Sequence, residues 1–438
     1  MSILFSQKLR NALGISALVL ISLAKSHLYT QSKNYDKQNL SATQQENVTS
    51  PQSQTSPGLI QSVSTVTTNF LYPVIPQQTQ DKPLSRKYSA STSAPYQVID
   101  EWKKYKFSIN GSQILTPTKL PTTKVNFNQA DLLTVLSNTR KYFQDYAVED
   151  PDILRTGILG TQGVTVEDIL KTLDFMVNVL REDIANNRAS RLQNSDFINS
   201  NFRVIKWSAN NPKNQSQKQL RITKYAVFTH PGSRTKTSTY KIPIYSLKEN
   251  FAVGKFYEKY TKQDVLSGIY EPGGREFGKV EPLAYLTRSG LEEALMEGTI
   301  LINFTDGSKG LFNVDRNNGI SYIRGLKATA QKRYWYFRKV DDIKGYGYKI
   351  DAKISIKPGV TFAGDVLNIG LGKVIIIEHN QGGRKQLQMG VVADTGGAFL
   401  PNLHQLDFLA GIFQNHKDFG AHISQLPEYA TAYILVKK

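Results

Sequence analysis

The sequence contains no cysteine in 438 residues. That absence excludes disulfides, thiolate metal sites and a lipid-carrying N-terminal cysteine. Long hydrophobic runs are also missing. The longest, Ala12 to Ala24, is thirteen residues, short of the roughly 20 that a membrane-spanning helix needs. No stable transmembrane anchor is expected. Acidic residues are outnumbered, 36 against 54 Lys and Arg, for a formal charge of +18. Such a balance attracts polyanions. No RNP motif, zinc finger or helix-turn-helix pattern accompanies the charge, so no nucleic-acid partner is expected. No internal repeat is evident.

What is present falls into four stretches. Lys8 and Arg10 precede the apolar run, and Ser22, Ala24 and Ser26 follow as small residues, which fits a secretory signal peptide over residues 1–26. The chain is then expected to be exported, to the periplasm or cell envelope, where anionic envelope polymers would meet its basic surface. Residues 27–95 are rich in Ser, Thr, Gln and Pro. They bury too little apolar surface to offset chain entropy and read as a disordered linker. Residues 96–205 read as a helical part. Asn128 is placed to cap a helix whose Leu132, Val135, Leu136, Phe143 and Tyr146 share a face, and Thr165 with Asp168 forms a capping box before Ile169, Leu173, Met176, Val177 and Leu180. A third short helix is expected around Ser195 to Phe202. Residues 206–438 then change to short strands and Gly, Asn or Asp turns, with an Asp306-Gly307 hairpin and strands at Val374–Glu378, Leu387–Ala393 and Thr431–Val436.

The chemistry concentrates between Gln388 and Gly411. An apolar run ends at Asp394, followed by Thr395, Gly396 and Gly397, whose glycines permit a tight turn and close backbone approach. Asp407 follows thirteen residues later between Leu406 and Phe408, far enough for a strand, a turn and a return to the same end of a small barrel. Two such carboxyls can hold one proton between them, and a carboxyl kept protonated near neutral pH can act as the general acid that breaks a glycosidic bond. An Asp-Thr-Gly at the end of an apolar strand is also the signature of aspartic peptidases, which need two copies. This chain has one, so that reading requires a dimer. His404, His416 and His422 lie near Asp407, but their spacing matches no metal-ligand motif. No metal and no cofactor is expected.

The run VVADTGGAF…LDFLAG resembles the three-aspartate domain at the C-terminus of the murein lytic transglycosylase A family. Asp394, Gly396, Gly397, Ala398, Asp407 and Gly411 carry the match. Further matches are Thr223, Tyr225, Pro243 and Tyr245, then Asn318, Gly319, Tyr322 and Gly325. The resemblance implies an α+β, mostly β fold: a double-psi-type β-barrel at about 340–438, with a second small β domain forming a groove, preceded by the helical segment. It implies a lytic transglycosylase acting on peptidoglycan glycan strands, with Asp407 as single acid/base, Asp394 in support, and Thr223, Tyr225, Tyr245, Gly396, Gly397 and Tyr322 meeting substrate. The sequence departs from the family where Leu400-Pro401 replaces a Lys-Gly pair, where Lys224 to Phe228 lacks the Tyr-Glu-Pro, and where Glu297-Gly298-Thr299 stands for Gln-Gly-Ser-Gly. Those losses leave a second expectation open, a catalytically inactive peptidoglycan-binding envelope protein.

Overall fold

The computed structural model of the protein describes residues 94–438 except 324, 397 and 398. The expected signal peptide, and all but the last two residues of the expected linker, lie outside that range. The first elements are short strands: β1 (Tyr96–Ile99) and β2 (Tyr105–Ile109) form a hairpin, followed by β3 (Leu115–Thr118) and β4 (Val125–Asn126). Then come the helices that the sequence signals. Asn128 caps α1 (Gln129–Tyr146), its side chain accepting the Asp131 N–H at 3.1 Å. The α2 helix (Val166–Ala185) opens on a reciprocal box: the Asp168 N–H donates to Thr165 Oγ1 at 3.1 Å and the Thr165 N–H to the Asp168 carboxylate at 2.9 Å. Such caps satisfy amides that have no partner within the helix. The short α3 (Ser195–Asn201) leads into β5 (Phe202–Trp207).

The β-rich part comprises β6 (Leu220–Gly232), β7 (Ile242–Leu247), α4 (Glu249–Ala252), α5 (Lys262–Leu266), β8 (Val280–Leu286), α6 (Arg288–Ala294), β9 (Thr299–Phe304), β10 (Lys309–Asn317) and β11 (Trp335–Val340). It continues through β12 (Thr361–Ala363), β13 (Val374–Gln381), β14 (Arg384–Asp394), β15 (Gln405–Phe413), α7 (His416–Ile423) and β16 (Tyr429–Lys437). One large sheet runs β11-β10-β9-β6-β15-β12-β14-β13-β16-β5-β3, with β4 on β14. Strand β6 also pairs with β16, through Arg221 with Tyr429 and Leu220 with Ala430. Strands β6, β15, β12, β14, β13 and β16 thereby return on themselves, with β6–β15 and β12–β14 parallel. The closure is short, two ladder pairs and the Ile222 N–H to Glu428 carbonyl bond at 2.8 Å, and the ring falls short of a regular barrel. The class is α+β and mostly β.

Two large apolar cores fill the fold, and a small third cluster packs Ala226 and Phe228 against Phe419. The first lies inside the ring and under the helices, with Leu132, Met176, Ile375, Val391, Leu406 and Leu435 among its fully buried side chains. Each such side chain contributes about 1.5–3 kcal/mol through removal from water. Gly372, with φ +74°, marks where the helices dock: a Cβ there would sit 3.1 Å from Phe143 and 3.4 Å from Leu173. The second core joins β7–β11 and α6 through Ile244, Leu286, Leu291, Ile300, Trp335 and Phe337. This is the small β body, and β7 pairs there with β8 in a separate two-stranded sheet. No helix among the described residues is long and apolar enough to cross a membrane.

Candidate active site

Strand β12 has only three residues, yet it sets the site. Its last residue, Ala363, is opposite Asp394 on β14 and opposite Asp407 on β15. With neighbouring strands 4.7–4.9 Å apart, the two aspartate Cα atoms are about 10 Å from each other. Only a methyl group stands on the strand between them. Asp407 is 2% exposed and is also in register with Thr223 on β6. Asp394 is half-buried at the end of β14. The Tyr225 hydroxyl donates to its Oδ2 at 2.8 Å, and the Thr395 N–H donates to its Oδ1 at 2.8 Å. Thr395 in turn donates its hydroxyl to the Gly364 carbonyl at 2.8 Å, tying the turn to the end of β12.

Both carboxylates line one cavity of about 100 Å³, together with Tyr225, Gly396, Thr299 and Lys353. A space of that size admits a few waters or one arm of a sugar. A longer ligand must lie across the mouth. Burial pushes the Asp394 carboxyl up to about 6, against the opposing pull of Tyr225, the Thr395 amide and Lys353. Burial, then the Asp394 charge, holds the Tyr225 phenol well above its ordinary value. Next to Tyr225 on β6, and outside the cavity lining, burial lowers Lys224 to about 8, with Glu428 and Asp407 pulling the other way. The cavity joins a carboxyl pushed up to about 6, a phenol held well above its ordinary value, a second shielded carboxyl and the Lys353 side chain.

The other sequence-derived positions are dispersed. Thr223 donates its hydroxyl to the Leu406 carbonyl at 3.2 Å and accepts from Gln405 at 2.9 Å, away from the cavity lining. Tyr245 is 4% exposed in the second core, edge-on to Tyr270. Tyr322 is half-buried beneath the Arg333 guanidinium, 5.3 Å from its ring centroid. Gly396 lines the cavity and Gly397 lies outside the described residues. Among the described residues no group of three or more His, Asp or Glu side chains is arranged to hold a metal ion. His416 instead packs its ring on Phe228, and His422 on Phe413.

Two cavity residues, Lys353 and Asn313, have no signal in the sequence, and Thr299 has one only as the last residue of Glu297-Gly298-Thr299. Lys353 Nζ donates to Asn313 Oδ1 at 2.9 Å, and Asn313 Nδ2 donates to Thr299 Oγ1 at 2.7 Å. They come from three separate segments. Only the tertiary fold assembles them.

No family model matches the chain, and no curated protein matches it. Among solved structures, the fold is similar to that of E. coli MltA with bound chitohexaose, at 16% identity over 74% of this chain and 95% of that one, with a TM-score of 0.49. It is similar to MltA from Neisseria gonorrhoeae at 14% identity over 74% and 93% of the two chains, TM-score 0.47. It is also similar to a membrane-bound lytic murein transglycosylase from Agrobacterium tumefaciens at 16% identity over 72% and 98%, TM-score 0.45.

Proposed function

We propose that the chain is an exported, cofactor-free lytic transglycosylase that cleaves the bond from MurNAc to GlcNAc in peptidoglycan glycan strands. One observation carries the reading: Asp394 and Asp407, the two aspartates of the resembling motif, face a single cavity across Ala363. In its protonated form Asp407 gives its proton to the glycosidic oxygen as that bond breaks. The same carboxylate then takes a proton from the 6-hydroxyl of the MurNAc, whose oxygen closes on the anomeric carbon as a 1,6-anhydro ring. One carboxyl serves both steps because the nucleophile belongs to the substrate. Asp394, ionised above about pH 6, places negative charge beside the positive charge that develops on the sugar. Tyr225 fixes the orientation of that carboxylate, and the backbone at Gly396 is available to sugar oxygens.

A specific departure favours a second reading, glycan binding without turnover. Leu400, at the position of the family's lysine, is 8% exposed and packs inward, so the loop after Asp394 offers no cation there. Mass spectrometry of purified peptidoglycan incubated with the chain, and separately with Asp407→Ala, decides between them. Anhydro-muropeptides are expected from the parent, with a loss of at least about 100-fold in the variant. If neither releases anhydro-sugars while both sediment with the sacculus, the enzyme reading falls and the binding reading replaces it.

A further inference from the structure

Two lysines line the cavity: Lys344, whose ammonium is already taken by the Asp341 carboxylate at 2.6 Å and the Ser355 hydroxyl at 2.8 Å, and Lys353. Lys353 is held in place by its neighbours. It follows the short 350–352 turn, and the segment behind it is held by two backbone bonds, Ile354 N–H to the Tyr346 carbonyl and Gly345 N–H to the Ile354 carbonyl, each 2.8 Å. Gly347 makes that approach possible. A Cβ there would meet the Lys353 Cα at 2.5 Å, so no other residue lets the two segments lie so close. The side chain then reaches the cavity, where its hydrogen bond among the described residues is to Asn313 Oδ1 at 2.9 Å.

An ammonium carries three donors, and this one hydrogen bond uses one. No carboxylate among the described residues forms a salt bridge with Lys353. Asp394 and Asp315 act on it from farther away, raising its pKa against the larger lowering effect of burial. Charge held in such a place is costly until an acceptor reaches it. A neutral sugar hydroxyl would satisfy one donor weakly, whereas a carboxylate gives a charge-assisted bond about twice as strong. The ionised Asp394 carboxylate, which lines the same cavity, repels an anion. With Lys344 already paired to Asp341, a carboxylate's favourable place in the cavity is against the Lys353–Asn313 pair.

We propose that Lys353 and Asn313 form an anion subsite for a carboxylate carried by the glycan, of the type presented by a muramic acid lactyl group freed of its peptide stem. The inference rests on reading the cavity as a glycan site. It does not require turnover.

The test compares two disaccharides by calorimetry on the whole chain: GlcNAc–MurNAc with a free lactyl carboxylate, and the neutral GlcNAc–GlcNAc. Neither contains a MurNAc-to-GlcNAc bond, so cleavage does not enter. The parent is expected to prefer the carboxylate sugar by about 10-fold or more. Lys353→Gln removes that preference and leaves the neutral sugar within about 2-fold, and Lys353→Arg restores part of it. Equal affinity of the parent for both sugars overturns the proposal, as does no measurable binding of either. An equal loss on both sugars in Lys353→Gln, accompanied by a shifted Asp394 titration, also overturns it, because the lysine would then act only through the carboxylate. Absence of anhydro products in the peptidoglycan assay would sink the transglycosylase reading alone and leave this preference standing.

Discussion

The Tyr225–Asp394 hydrogen bond is where residue chemistry is most open to test. A phenol that donates to a carboxylate stabilises the ionised form, so its removal in Tyr225→Phe should raise the Asp394 pKa above its present value of about 6. A charged hydrogen bond is worth roughly 1.5–3 kcal/mol, which corresponds to about one to two pH units. Carboxyl-carbon NMR titration reads this directly, and an unmoved or lower midpoint would show that Tyr225 does not hold the carboxylate. The same shift fixes a stability trend. A folded pKa above the ordinary 3.8 means that the contribution of Asp394 is fully present below that pH and is lost as pH rises through about 6. Asp394→Asn should therefore gain on the parent between pH 4 and pH 6, by up to about 3 kcal/mol in denaturant titrations. A gain in the opposite direction would refute the assignment.

Elements differ in how much of them is written locally. The α2 cap needs only Thr165 and Asp168, three residues apart, and both bonds of the box form. Thr165→Ala should lower stability by about 1 kcal/mol in urea melts and leave glycan binding unchanged, since the cap lies away from the cavity lining. A loss of binding would show that α2 positions the site. The apolar stripes of α1 and α2, the Asp306-Gly307 hairpin and the C-terminal strands were legible for the same reason: period and turn chemistry sit within a few residues. Strand β12 was not. Thr361, Phe362 and Ala363 are too few to show a period, and their pairing with β14 and β15 is decided by residues 30 or more positions away. Strands β1 to β3 were hidden similarly, inside a stretch that reads as helical. Asp394 and Asp407 were legible because a motif surrounds them. Lys353 was invisible because its place depends on a glycine six residues earlier and an asparagine on strand β10.

At the scale of the molecule, β6 joins the two cores. Its first part belongs to the ring, its last residues from Phe228 to Gly232 run parallel to β9, and Tyr225 to Val227 between them line the cavity. The cavity thus takes its carboxylates from one body and Thr299 and Asn313 from the other. Recognition inside it is short-ranged, whereas the formal charge of +18 acts on the whole surface. The two interactions should separate by salt. The Debye length falls from about 10 Å at 0.1 M to about 3 Å at 1 M, so contacts between exposed lysines and a polyanion weaken steeply. Retention on sacculi that keep their anionic polymers should drop at least about tenfold between 0.05 and 0.5 M NaCl, while affinity for neutral GlcNAc–GlcNAc stays within about 2-fold. Sacculi stripped of those polymers should show the weaker, salt-insensitive binding throughout. Were retention on both kinds of sacculi equal and indifferent to salt, the surplus of basic residues would have no part in holding the protein to the sacculus, and the cleft alone would account for the attachment.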